Sequence, residues 1–141
     1  YGYEPESGQL GWACPVYVAD TDERANAEAG YAIETLFNNY HRRPMEMLVT
    51  PGYTSFNSMK NFFKLRTAVA SGTKPTADSL IASGTAIIGS AKTVRAKIEE
   101  VRDRTGLGIL VPMLQFGVLS DELAKRSMEK FASEVMPHLR D

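Results

Sequence analysis

The sequence predicts a parallel α/β protein, because strand-like and helix-like segments alternate along it with short connections. Leu107–Leu114 is a continuous apolar run typical of a strand buried on both faces, and an amphipathic helix follows it as far as Pro137. Ile87–Ser90 leads directly into another amphipathic helix, and Trp12–Ala19 is rich in strand formers. A strand–helix–strand–helix tail of this kind indicates part of a larger domain.

The first unit joins the strand to a helix that we expect to begin at Asp20. Asp20 and Glu23 have the spacing of a capping box. The apolar residues that recur at helical spacing along this helix are Ala29, Ile33, Leu36, Phe37 and Tyr40. The helix should end near residues 40–43, before Pro44.

Residues 44–84 are interpreted as a helical insertion. They separate the first helix from the next strand by far more than the ~2–6 residues of an ordinary αβ loop. Thr54 or Ser55 can cap a helix running to about residue 69, and Thr76–Ser83 is predicted to be a short helix. The large apolar residues of the first of these helices are Phe56, Met59, Phe62 and Phe63. We interpret this stripe as core, with a substrate pocket as the alternative.

The last two helices carry clear end signals. Ser90 and Ser120 are predicted N-caps, and Gly106 is predicted to end the first of the two helices. The acid-to-base pairs expected on the last helix are Asp121–Lys125 and Glu122–Arg126. The predicted core stripe of that helix is Ala124, Met128, Phe131, Val135 and Leu139.

Composition excludes several classes of function. The formal net charge of −1 gives no electrostatic reason to expect nucleic acid or an anionic membrane as partner. No apolar run approaches the ~18 residues of a membrane span. Cys14 is the one cysteine, so an internal disulfide is excluded, and with His41 and His138 it gives no zinc-ligand set. We expect a cytoplasmic protein in which Cys14 is a buried thiol.

Three loops at predicted strand ends are candidates for chemistry, since parallel α/β folds place sites there. Gly89 and Ser90 open a helix N-terminus that favours an anion, and the alternative is that Ser90 only caps the helix. Gln115–Gly117 offers an amide, a ring and a glycine to a planar ligand, and the alternative is a turn with Phe116 in the core. The basic residues 41–43 either complement a helix dipole or bind phosphate. The third of these loops is Asp20–Thr21, which follows the first strand.

Three phrases resemble those of the luciferase-like flavin-dependent monooxygenases. Pro15–Ala25 is similar to the family's P-V-Y-V-(A/G)-(D/E)-T-D-E-E-A phrase. Ile88–Ser90 is similar to (I/V)-G-(S/T)-P-E-x-V, although Ala91 stands where Pro is common. Leu114–Gly117 together with Phe131–Pro137 is similar to the closing phrase F-(A/G)-x-E-V-(M/I)-P. The phrases span nearly the whole chain except the insertion, which is variable in that family.

The resemblance implies that residues 1–141 are the C-terminal portion of a TIM-type (β/α)8 barrel. It implies a monooxygenase that oxidises a small organic substrate with O2 and reduced flavin mononucleotide (FMN), or with the deazaflavin F420 in some branches. A flavin reductase is an expected partner. The main flavin-phosphate site would lie in a missing N-terminal part, which the start at Tyr1 rather than Met also leads us to expect. The residues implied to face the cofactor pocket are Gln115, Phe116, Gly117, Gly89 and Ser90.

Association is the last expectation, because strands cut from a barrel leave apolar faces uncovered. The strand residues expected to be partly exposed are Val16, Val18, Ile87, Ile88, Ile109 and Val111. They would be covered by the missing N-terminal part, by a second copy in a homo-oligomer, or by the insertion folded back over them. We favour the first two, because the insertion has its own apolar residues to bury. The alternative function is a non-catalytic α/β module that binds a partner or a small anion.

Overall fold

The computed structural model describes residues 2–4, 6–41, 52, 54–60 and 74–139, and in that part three parallel strands form one sheet. The strands are β1 (Gly11–Ala19), β2 (Ile87–Ser90) and β3 (Ile109–Met113). The α-helices are α1 (Asp22–Thr35), α2 (Ala77–Ala82), α3 (Ala91–Thr105) and α4 (Asp121–Lys130). A π-helical turn extends α1 (Leu36–Tyr40) and another extends α4 (Phe131–Val135). Short 3-10 helices are Ser7–Gln9 and Met136–His138. The predicted parallel α/β class is confirmed.

The central strand is β1, and the strand order is β2-β1-β3. Its C-terminal half, Val16–Ala19, pairs with β2, and its N-terminal half, Gly11–Pro15, pairs with β3. Three consecutive units of a barrel would place β3 beside β2. Here α3 carries the chain across β1, so that β2 and β3 lie on opposite edges of this nine-residue strand.

Helices cover both faces of the sheet at the C-terminal half of β1. Tyr17 and Ala19 pack with α1 and α2 on one face, while Val16 and Val18 pack with α3 and the end of α4 on the other. The expectation that the β1 and β2 side chains would be partly exposed is therefore wrong. Four of the side chains expected to be exposed are at most 4% exposed: Val16, Val18, Ile87 and Ile88.

The outer strand β3 is more exposed than a strand buried on both faces would be. It was expected to be buried on both faces, but Ile109, Val111 and Met113 are 44%, 52% and 37% exposed. Only the face that carries Leu110 packs against the α3–α4 layer. The expected exposure of Ile109 and Val111 is confirmed.

A side-chain cap begins each of the four described α-helices. Ser90 and Ser120 cap α3 and α4 as predicted, and Gly106 ends α3 with a left-handed φ of +70°. The α1 cap is Thr21 instead of the predicted Asp20: the Thr21 hydroxyl accepts the Arg24 N–H at 3.2 Å. Asp20 is not available as a cap because its carboxylate binds Arg24 and Lys130 side chains.

The core stripe of α4 is confirmed at Ala124, Phe131 and Val135, whereas Met128 is 39% exposed. The buried residue of that turn is Ser127, whose hydroxyl accepts the Val18 backbone N–H at 2.9 Å. The Ser127 side chain of α4 thus binds a β1 backbone N–H at a position that β3 does not reach.

The insertion is described only in part. Thr76 caps α2 through a capping box, and Ser55 accepts the Ser58 N–H at the start of a helical segment over 56–60. Phe56 is 77% exposed, so it is not core in this structure, while Phe62 and Phe63 lie outside the described residues. No described helix is long and apolar enough to cross a membrane.

Candidate functional site

The residue that follows the first predicted site loop contacts the second predicted loop at the carboxyl edge of the sheet. The Asp22 carboxylate, at the start of α1, accepts the Ser90 backbone N–H at 2.6 Å and the Thr93 hydroxyl at 2.9 Å. The Ser90 backbone bond is the main cause that holds the pKa of Asp22 below its usual value. The anion expected at the α3 N-terminus is therefore supplied by the chain itself.

The same contact favours glycine at position 89. A Cβ atom at Gly89 would lie 2.8 Å from the Asp22 Oδ1 atom and 3.0 Å from the Thr93 Cγ2 atom. The glycine lets the carboxylate approach the end of β2 closely. The open depression of about 440 Å³ beside it carries Lys92 and Lys97, but also Glu100.

The Asp22 contacts predict a stability effect. We expect Asp22→Ala to lower the free energy of unfolding by about 1–3 kcal/mol, because Ser90 and Thr93 lose a charged acceptor. Asp121→Ala is the matched control, since Asp121 also lies in the first turn of a helix but its side chain is 88% exposed. That control should change stability by less than about 0.5 kcal/mol. Urea unfolding of both variants measures the difference, and equal effects would contradict it.

The Gln115–Gly117 loop is a turn packed on α1. Phe116 is 4% exposed and belongs to the cluster that contains Ile33. Gly117 has φ +57°, and the Gln115 amide donates to the Leu119 carbonyl at 3.0 Å. The structure therefore agrees with the alternative given for this loop, a turn in which the Phe116 ring packs in the core. Of the five predicted site residues, Gln115 is the one whose side chain is exposed.

A charged network that the sequence analysis missed lies beyond the end of β1. The hydroxyl of the fully buried Tyr17 donates to Glu28 Oε2 at 2.7 Å, and Arg24 Nε donates to Glu28 Oε1 at 2.9 Å. Arg126 of α4 also binds Glu28, so the expected Glu122–Arg126 pair does not form. The predicted Asp121–Lys125 pair is present at 3.4 Å. The four-residue spacings from Asp20 to Arg24 and from Arg24 to Glu28 are local signals of this network.

Each charged side chain of the network contacts a side chain of opposite charge within it. Burial, followed by the bond to Glu28, raises the pKa of Tyr17 to about 12. Burial alone would raise the pKa of Glu28, but hydrogen bonds from Arg24, Tyr17 and Arg126 outweigh it and lower that pKa to about 2. Asp20 bridges Arg24 and Lys130 at 2.6 and 2.7 Å. These contacts join α1 to α4 across the strand end, which is a structural role.

The lowered pKa of Glu28 predicts acid sensitivity. Its folded-state pKa lies below the ordinary 4.5, so the carboxylate stabilises the fold above about pH 4.5 and this contribution is lost as pH falls towards about 2. Glu28→Gln should cost about 1.5–3 kcal/mol at neutral pH and flatten the acid side of the stability profile. Urea unfolding across that pH range, with exposed Glu129→Gln as the control, measures both effects. An unchanged slope in Glu28→Gln would contradict this role.

The thiol of Cys14 is buried, as predicted. Cys14 is 1% exposed, and burial raises its pKa to about 12, so the reactive thiolate is suppressed. Within the described ranges, no group of three His, Cys, Asp or Glu side chains is placed to hold a metal ion.

Comparison with solved structures shows that the fold of this chain is similar to part of two monooxygenases. The chain matches the monooxygenase RslO1 from Streptomyces bottropensis with a TM-score of 0.60 and 21% identity, over 99% of this chain and 33% of that one. It also matches the oxygenating constituent of the 3,6-diketocamphane monooxygenase from Pseudomonas putida, a type II Baeyer–Villiger enzyme in complex with FMN. That match has a TM-score of 0.59 and 22% identity, over 96% of this chain and 35% of that one. The chain thus spans about a third of each matched structure. No family model and no curated protein matches it.

Proposed function

We propose that this chain is the C-terminal part of a luciferase-like flavin-dependent monooxygenase with a (β/α)8 barrel. The assembled protein would oxidise a small organic substrate with O2 and reduced FMN, with F420 as the alternative cofactor and a flavin reductase as supplier of reduced flavin. The observation that carries the proposal is the match of nearly the whole chain to two monooxygenases, one of them bound to FMN. The three sequence phrases support it independently.

The described residues do not fit an FMN site by themselves. The Ser90 N–H, a candidate phosphate donor, is bound to Asp22, and the Phe116 ring is enclosed by the core. The guanidinium of Arg126 is engaged by Glu28, and that of Arg24 by Glu28 and Asp20. We therefore propose that the phosphate and ring of the flavin are held by polypeptide beyond these residues, and we assign no chemical step to this chain.

Gln115 is the residue of this chain that we propose to face the ligand. It is exposed where β3 ends, the edge at which barrel enzymes place their sites. We propose that Gly89, Ser90, Phe116 and Gly117 contribute indirectly, by fixing the two loops at that edge. Gln115→Ala should then reduce activity of the assembled protein more than its stability, since the lost bond to the Leu119 carbonyl is worth only about 1 kcal/mol.

The test is oxygen consumption by the longest polypeptide that the gene encodes around these residues. With reduced FMN supplied, the proposal predicts substrate-dependent O2 uptake and an oxygenated product. Reduced F420 in place of FMN distinguishes the two cofactors. Absence of uptake with either cofactor across a panel of small ketones and aldehydes would contradict the proposal.

The second candidate is a non-catalytic module that binds a partner. It is favoured by one observation, that the donors at the α3 N-terminus and the network cations are already bound within the chain. Equilibrium dialysis of the same polypeptide with oxidised FMN separates the candidates. The monooxygenase retains flavin, and the non-catalytic module does not.

A further inference from the structure

One stretch of the sheet is covered by helices on one face only. Trp12, Cys14 and Leu110 pack against the α3–α4 layer. On the opposite face, α1 packs over Tyr17 and Ala19, at the other end of β1. The uncovered side of the sheet, which we call the open strip, consists of Gly11, Ala13, Ile109, Val111 and Met113.

The open strip is apolar and continuous. Strand pairing places Gly11 beside Ile109 and Ala13 beside Val111, so these residues share one face. None of them is charged, and the three β3 side chains are between 37% and 52% exposed. Parallel sheets are normally covered on both faces, and contiguous exposed apolar surface marks an interaction site.

The edge of β3 is less suited to contact than its face. The Ile109 N–H donates to the Leu10 carbonyl at 3.1 Å, so Ile109 directs its backbone groups towards β1. Alternate residues of a parallel strand face the same edge, and Leu110 and Pro112 therefore direct theirs to the free edge. Pro112 has no N–H there, which weakens pairing with a further strand. Contact through the side chains of the face does not depend on pairing at that edge.

We propose that the open strip is the surface on which the remainder of the monooxygenase fold packs, an inference that rests on the proposed function. The occupant is a polypeptide corresponding to the other two thirds or so of the matched structures. Because the match covers 96–99% of this chain, essentially all of that remainder lies outside it. Its apolar side chains would cover Ile109, Val111 and Met113 and complete the second layer over β3.

Thiol labelling tests this proposal. Val111→Cys is made in the 141-residue chain and in the longest polypeptide that the gene encodes around it. Met128→Cys serves as the control, because Met128 is 39% exposed on α4 and outside the strip. In the 141-residue chain the background labelling is low because Cys14, its one native cysteine, is 1% exposed. The longer polypeptide without either substitution gives the background for the longer variants. We expect maleimide labelling of Val111→Cys to be at least about ten-fold slower in the longer polypeptide, and labelling of Met128→Cys to be alike in both.

Equal labelling of Val111→Cys in the two polypeptides would overturn the proposal. So would protection in the 141-residue chain that grows with its concentration, since a second copy would then be the occupant. A gene that encodes nothing beyond these residues, with a monomer whose Val111→Cys stays reactive, would overturn it as well. The rate of maleimide labelling can be measured without flavin. Protection without flavin-dependent oxygen uptake would therefore refute the proposed function and leave the interface standing.

Discussion

Replacing Phe116 by Ala is expected to lower the free energy of unfolding by about 3–5 kcal/mol, the usual cost of emptying a buried aromatic site. Phe116 is 4% exposed and packs in the cluster that joins β1 to α1. The loss is a large share of the roughly 5–15 kcal/mol that stabilises a typical domain, so the variant should be markedly less resistant to urea.

Phe56→Ala is the control for that variant. It removes the same side chain from a site that is 77% exposed, and should change stability by less than about 0.5 kcal/mol. Urea unfolding of the two variants separates a core ring from a ligand-facing ring. If Phe116→Ala keeps wild-type stability while the assembled protein loses activity, the ring faces a ligand and its placement in the core is wrong.

Replacing Gly117 by Ala is the second large effect. Gly117 has φ +57°, and a Cβ atom there would lie 2.2 Å from the Ala32 carbonyl oxygen of α1. Left-handed strain and backbone overlap act together, so we expect a loss of about 3 kcal/mol or more. The overlap cannot be relieved by a side-chain rotation because the obstructing atom belongs to helix backbone.

Gly106→Ala isolates the contribution of the overlap. Gly106 has φ +70° but nothing within 4 Å of its Cβ position, so only the conformational cost of about 1–2 kcal/mol applies. Comparison of the two melting temperatures gives the difference. A Gly117→Ala variant no less stable than Gly106→Ala would show that the loop is not packed against α1 as described.

Features fixed by chemistry within a few residues could be predicted from the sequence. The Ser90 and Ser120 caps, the left-handed Gly106 and the Asp121–Lys125 pair each depend on neighbours in one helix. The parallel α/β class follows from the alternation of such local elements. The predicted cap of α1 is one residue too early because Asp20 and Thr21 are both favourable N-cap residues, and the ion pairs of Asp20 with Arg24 and Lys130 leave Thr21 as the cap.

Features that depend on distant residues could not be predicted in this way. Asp22 meets Ser90 across 68 residues, and Arg126 meets Glu28 across 98. The first contact fills the predicted anion position, and the second replaces the predicted Glu122–Arg126 pair. The strand order has the same origin, since nothing in the β3 sequence specifies that it pairs with β1 instead of β2. The role of Phe116 depends on where α1 packs.

The central claim is that this chain carries part of a flavin-monooxygenase fold while the flavin site requires polypeptide beyond it. Titration of FMN fluorescence with the 141-residue chain, and in parallel with the longest polypeptide that the gene encodes around it, tests this most directly. The account predicts saturable, stoichiometric binding by the longer polypeptide and none by the 141-residue chain at micromolar concentrations. Saturable binding by the 141-residue chain, or none by either polypeptide, would contradict it.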